Sequence, residues 1–242
     1  MVPIPFAGPL VLVGGGSLSA ASLATARAAL GALPAWGAAA PVLVAADGAA
    51  DRLAALGEAP ALVLGDLDSV ADPEGWRARG VRVERLAEQD TTDFEKCLYA
   101  TEAPLYLGVG FIGRRLDHSL AVLNALVTRA GGHGAAKRVV LLTEHEVIFA
   151  ARPGRRYAFA LAAGETVSVF PLAPVGALAS TGLVWPLHAL TLAPAGVQGG
   201  VIGTSNRATG ETVTLGFDRA GALLLLPRAA LGEALAQVAS EA

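Results

Sequence analysis

From residue 9 to about residue 143, short β-rich apolar runs alternate with Ala/Leu/Arg stretches whose apolar positions recur at helical spacing. The runs predict strands at Leu10-Val13, Val42-Ala45, Ala61-Leu64, Val81-Arg85, Leu105-Val109 and Arg138-Leu142. The intervening stretches predict helices at Ala20-Ala32, Ala49-Leu56, Thr91-Thr101 and His118-Arg129. Alternation of this kind is the mark of a parallel sheet covered by helices. Beyond about residue 145 the pattern changes to short runs separated by Gly/Pro turns, at Tyr157-Leu161, Thr166-Phe170, Ala189-Leu192, Glu211-Phe217 and Ala222-Leu226, with a closing helix at Ala229-Ser240. The expected fold is α/β: an N-terminal three-layer domain with a parallel sheet over residues 1–144, then a C-terminal antiparallel β-sandwich over residues 145–242.

Composition narrows the class. Of 242 residues, 53% are hydrophobic and 16% charged, which excludes a disordered chain. A net charge of −3 without a Lys/Arg run gives no electrostatic footprint for nucleic acid or an anionic membrane. Prolines and glycines interrupt every long uncharged stretch, so no membrane span is expected. The N-terminus lacks the basic leader of a secretory signal. Cys97 is the lone cysteine, which excludes an internal disulfide and a Cys-based zinc site and reads as a small buried side chain. A soluble cytoplasmic protein is expected.

The chemistry is concentrated in the aspartates. Eight of the nine lie between Asp47 and Asp117, and they follow predicted strands, where open parallel sheets bind ligands. Asp66 and Asp68, in Gly65-Asp66-Leu67-Asp68-Ser69, read either as an acidic turn or as two carboxylates sharing one hard cation such as magnesium, with Gly65 permitting a sharp exit from the strand. In Gln89-Asp90-Thr91-Thr92-Asp93, Asp90 reads as a helix N-cap and Asp93 as a first-turn acid or a further metal ligand. Asp47 reads as a helix cap or a member of the same acidic edge. The segment Gly108 to His118 holds a GxGxxG without an acidic residue about 20 positions on, where Gly132, His133 and Gly134 stand, so a dinucleotide fingerprint is not met. It does deliver Arg115 beside Asp117, either as a surface pair or as a grip on phosphate. Only Lys96 and Lys137 are lysines and neither sits in a P-loop, kinase and GxSxG signatures are missing, and His118, His133, His145 and His188 lack metal-ligand spacing.

Taken together, AADGAADRL (45 to 53), PALVLGDLDS (60 to 69), QDTTDFEKCL (89 to 98), GFIGRRLDHSLAVLNAL (110 to 126), TGLVWPL (181 to 187) and GTSN (203 to 206) resemble thiamine pyrophosphokinase, in order and spacing, across nearly the whole chain. The resemblance implies an ATP- and magnesium-binding catalytic domain at 1–144 and a thiamine-binding, dimerising sandwich at 145–242. It implies a homodimer with active sites between one subunit's α/β domain and its partner's sandwich, and transfer of a diphosphate group from ATP to thiamine with release of AMP. By motif, Asp66, Asp68 and Asp93 would bind magnesium with Asp47 and Asp117 nearby, and Asp66, Asp68, Asp93 and Asp117 would serve catalysis. Gln89, Thr92 and Arg115 would hold ATP with Asp47, and Ser205 and Asn206 would meet the thiamine pyrimidine; taken alone, the GTSN segment reads as a β-turn. The chain departs from the family pattern at Ala49 and Arg114, where relatives carry glycine, and at Leu223-Leu226, where some relatives stack a tryptophan on thiamine. Trp185 matches a family tryptophan after the glycine and reads either in that role or only as a core residue. The competing readings are a pyrophosphokinase for another alcohol such as a hydroxymethylpterin, a metal-dependent phosphohydrolase, and a non-catalytic nucleotide- or thiamine-binding module.

Overall fold

The computed structural model describes residues 2–36, 40–131, 137–195, 197 and 199–240; Gly132, His133 and Gly134 lie outside them. In chain order the elements are β1 (Ile4–Pro5), β2 (Leu10–Val13), α1 (Ala20–Gly31), β3 (Val42–Ala46), α2 (Ala49–Ala55), β4 (Leu62–Gly65), α3 (Pro73–Ala78), β5 (Arg82–Arg85), α4 (Asp93–Ala100), β6 (Thr101–Glu102), β7 (Tyr106–Val109), α5 (Leu116–Ala130), β8 (Val139–Leu142), β9 (Glu146–Ala150), β10 (Arg156–Phe159), β11 (Thr166–Pro171), β12 (Val175–Thr181), β13 (Thr191–Leu192), β14 (Gly203–Arg207), β15 (Val213–Phe217), β16 (Ala222–Pro227) and α6 (Leu231–Ala239). They fall into two compact units, the described residues of 2–122 with 141–144, and those of 123–140 with 145–240.

The first unit is built on parallel strands in the order β7-β2-β3-β4-β5, with Leu10 paired to both Val42 and Tyr106. β2 reads Leu-Val-Leu-Val without a polar position, and all four residues are wholly buried, as a strand covered on both faces requires. One helix went unseen in the sequence. α3 starts on Asp72, whose Oδ1 accepts from the Gly75 N–H at 2.8 Å, followed by Pro73 at its first turn. It seats Trp76 in the core, with the indole N–H 3.4 Å from Asp51 Oδ1. The α4 cap also differs from expectation. Thr92, not Asp90, is the N-cap, and it forms a reciprocal capping box with Glu95.

The second unit contains the antiparallel run β14-β11-β16-β9 and a separate antiparallel sheet β10-β15-β12-β13. Phe149 of β9 meets Tyr157 and Phe159 of β10, with ring centroids 5.2 and 6.2 Å apart, joining the two sheets into a sandwich. β9, β12 and β14 add to the expected strands. The GTSN segment is therefore strand, not turn, with a local kink at Ser205, where φ is 58°. Cys97 is buried in α4, and burial pushes its thiol far up. Among the described residues, no helix is long and apolar enough to cross a membrane.

Candidate active site

The acidic motifs leave the carboxyl ends of neighbouring parallel strands. Asp47 follows β3, Asp66 and Asp68 follow β4, the 88–93 segment follows β5, and Gly110 to Arg115 follow β7. A cavity of about 560 Å³ opens there, lined among others by Gly15, Gly16, Asp47, Arg52, Thr92 and Asp93. Ala46, Ser69, Phe111, Arg114, Arg115 and His118 complete much of the wall.

Carboxylate oxygens of Asp47, Asp66 and Asp68 lie within 4.8 Å of one another. The turn that brings the last two together is not an extended segment. Leu67 is left-handed at φ 67°, and the Asp68 N–H donates to Asp66 Oδ1 at 3.2 Å. Asp47 is also left-handed, at φ 49°, while its N–H prolongs the β3–β4 ladder by donating to the Leu64 carbonyl at 2.7 Å. Gly65 is needed for approach rather than for a sharp exit: a Cβ on it would stand 2.8 Å from the Cβ of Asp47. Asp47 is thus held against the end of β4, where its Oδ1 is buried without a hydrogen-bond partner.

Asp93 stands outside that trio and is tied to it by Lys96. The Lys96 ammonium, only 2% exposed, lies 3.6 Å from Asp93 Oδ1 and 3.9 Å from Asp66 Oδ2. Burial raises the Asp93 carboxyl against the opposing pull of Lys96, and burial followed by the charge of Asp93 raises that of Asp47. Asp66 is held below the usual carboxylate range, first by the Gln89 side-chain amide, which donates to its Oδ2 at 2.8 Å. Gln89 is itself positioned by the residue before it. Glu88 accepts from the N–H groups of Asp90 and Thr91, from the Thr91 hydroxyl and from the Tyr99 hydroxyl, and these bonds lower its carboxyl to about 2.

Arg115 lines the cavity, but its guanidinium is engaged in a two-point ion pair with Asp117, at 2.6 and 3.2 Å, with both side chains about two-thirds exposed. That pairing holds the Asp117 carboxyl low. Arg114 adopts φ 49°, a conformation that suits glycine and that a long side chain such as arginine rarely takes, whereas Ala49 is helical and wholly buried, a backbone that a methyl group tolerates. Beside the cavity wall, which Gly110 lines, the ends of β2 and β7 meet glycine on glycine: a Cβ on Gly14 would lie 2.6 Å from the Gly110 carbonyl oxygen, and one on Gly110 would lie 2.7 Å from that of Gly14.

In the second unit Ser205 is exposed and Asn206 is buried. The Asn206 side chain clamps a neighbouring loop, accepting from the N–H of Trp185 at 3.2 Å and donating to its carbonyl at 2.6 Å. The Trp185 indole is consequently presented at 57% exposure, which corrects its reading as a core residue. Sequence reasoning passed over Lys96, Arg52 and the Gly14–Gly16 turn. Lys96 was within reach, since it stands three residues after Asp93 on one face of α4.

A family model described as thiamin pyrophosphokinase, catalytic domain, matches residues 35–135, and a second, described as thiamin pyrophosphokinase, vitamin B1 binding domain, matches residues 155–220. Together they take in more than half of the chain. No curated protein sequence gives a significant match. Among solved structures the chain is similar to thiamin pyrophosphokinase from Candida albicans, with TM-score 0.72 and 16% identity over 91% of this chain and 89% of that one. It is similar to the yeast thiamin pyrophosphokinase, at 0.70 and 17% over 91% and 86%, and to a protein from Lactobacillus plantarum, at 0.63 and 24% over 90% and 98%. At such identities the structural likeness speaks for the fold. The strand-end aspartates from Asp47 to Asp117 fall inside the catalytic-domain match, and Ser205 and Asn206 inside the other, so by both matches this chain belongs to the thiamin pyrophosphokinase family.

Proposed function

We propose that this protein transfers the diphosphate group of ATP to the hydroxyethyl group of thiamine, giving thiamine diphosphate and AMP. The observation that carries the reading is the carboxylate trio at the strand ends, beside a cavity of nucleotide size, within a chain matched in order by both family models. In this reading residues 1–144 bind ATP, residues 145–242 bind thiamine and dimerise, and the enzyme works as a cytoplasmic homodimer.

The donor set fits magnesium. Asp47, Asp66 and Asp68 offer only hard oxygen ligands, and the buried, unpartnered Oδ1 of Asp47 is a polar atom that a cation would satisfy. Bound there, the ion would neutralise triphosphate charge and orient its oxygens. The chain's own groups do the rest. Gln89 and Lys96 fix Asp66, and the Thr92 cap fixes the start of α4 and with it Asp93 on the cavity wall. Asp93 suits the alcohol proton better than Asp117 does, because burial raises the first carboxyl while Arg115 holds the second low. For the acceptor, the exposed Trp185 indole, braced by Asn206, supplies the aromatic surface that Leu223, Leu224, Leu225 and Leu226 do not, and the exposed Ser205 hydroxyl supplies a polar contact.

Purified protein given ATP, magnesium and thiamine should form AMP and thiamine diphosphate in equal amounts, read by chromatography. Formation of ADP, or release of phosphate without acceptor, would overturn the reading.

A further inference from the structure

A polyphosphate in this cavity calls for a cationic side chain on the wall, and the sequence singled out Arg115 as a grip on phosphate. Arg115 is paired with Asp117 and mostly exposed. Arg52 is placed differently. It projects from α2, whose Ala49, Ala50 and Leu53 are wholly buried, so its backbone is anchored in the core. Its side chain is half-buried and lines the cavity together with Gly15 and Gly16. Its Nη1 donates to the Gly16 carbonyl at 2.7 Å, which fixes the guanidinium plane against that turn. One bond leaves most of the five guanidinium N–H groups for a ligand, and among the described residues no carboxylate pairs with it. A fixed, half-buried cation without a counter-charge on a cavity wall is suited to a planar, multi-point grip on phosphate oxygens.

We infer that Arg52 is a phosphate-binding residue of this site, holding the polyphosphate chain of the nucleotide against the Gly15–Gly16 wall. The inference rests on the proposed ATP-dependent reaction and adds a residue to it.

The test is calorimetric titration of the whole protein with magnesium tripolyphosphate and with magnesium ATP. Arg52→Gln should weaken both by on the order of tenfold or more. It should also flatten the dependence of log Kd on log salt, and Arg52→Lys should recover part of the affinity and most of the salt dependence. A loss of affinity with the wild-type salt dependence retained would mean that Arg52 only braces Gly16, and the assignment fails. Wild-type affinity in Arg52→Gln overturns it as well. If the wild-type protein binds neither probe, the nucleotide reading falls and Arg52 with it; if wild type binds and Arg52→Gln matches it, only Arg52 falls.

Discussion

Lys96→Met tests whether the buried ammonium holds the acidic edge together. Its nitrogen lies 3.6 Å from Asp93 and 3.9 Å from Asp66. At an effective dielectric constant of about 20, each contact is worth about 4–5 kcal/mol of attraction. Two effects offset most of that. Taking the ammonium out of water costs several kcal/mol, which methionine is spared, and the Asp93 side chain is 39% exposed, so water screens its charge. The net loss expected at pH 7.5 without divalent cation is about 2–3 kcal/mol. For a chain of this length that is a fall in Tm of roughly 4–12 °C.

The pH dependence has a definite sign. Without the ammonium both carboxyls titrate higher in the folded state, so the native protein takes up protons earlier on acidification. The deficit is therefore full where both are ionised and fades as pH falls through their titration. Urea unfolding at pH 7.5 and pH 4, followed by tryptophan fluorescence in a Trp185→Phe background that leaves Trp36 and the buried Trp76, reads the first unit. Magnesium should restore much of the lost stability at pH 7.5. Equal stability of variant and wild type at pH 7.5, or a deficit that persists unchanged at pH 4, would refute the reasoning.

Asp47→Asn should raise the Tm of the metal-free protein at neutral pH and abolish the Tm gain on adding magnesium. The wild-type carboxyl is raised on folding, so stability declines as pH rises through its titration and stays lower above it; a lower Tm for the metal-free variant would count against this. Gly65→Ala forces a methyl group to 2.8 Å from the Asp47 Cβ and should cost about 1–3 kcal/mol in urea unfolding. Gly31→Ala, with nothing within 4 Å, should be neutral or stabilising by up to about 1 kcal/mol; equal effects from the two glycine variants would dismiss the close-approach argument. Trp185→Ala should raise the KM for thiamine about tenfold through lost stacking. Because the indole is exposed, Tm and the KM for ATP should stay near wild type, and an unchanged KM for thiamine would remove Trp185 from the acceptor site.

The sheet of the first unit was legible because β2, β3, β4 and β7 are buried on both faces and read as short unbroken apolar runs, with Leu10 to Val13 the plainest, while the edge strand β5 is polar and partly exposed. The Asp72-Pro73-Glu74 start of α3 was equally plain but passed unread, and the Thr92–Glu95 capping box outweighed Asp90 for the same reason: the paired signal is stronger than the single one. β14 was hidden by its own composition. Gly203 to Arg207 is polar and lies at the edge of its sheet, where pairing with β11 sets its form more than propensity does. The aspartates, their common edge and the Asp66–Asp68 pair could be picked out from the sequence, but the third member of the trio could not. That Asp47 rather than Asp93 joins Asp66 and Asp68 depends on the left-handed turns at Asp47 and Leu67 and on the bare α-carbon of Gly65.

The reciprocal contact of Gly14 with Gly110 has a consequence for how such a site can diversify. Where two main chains touch with no room for a side chain on either, point substitution has nothing to vary, and this junction stays a fixed pair of peptide groups whatever the neighbouring sequence does. New ligand preferences would have to be written on lining side chains such as Arg114 and Val122, while drift leaves the glycine contact behind Gly110 unaltered.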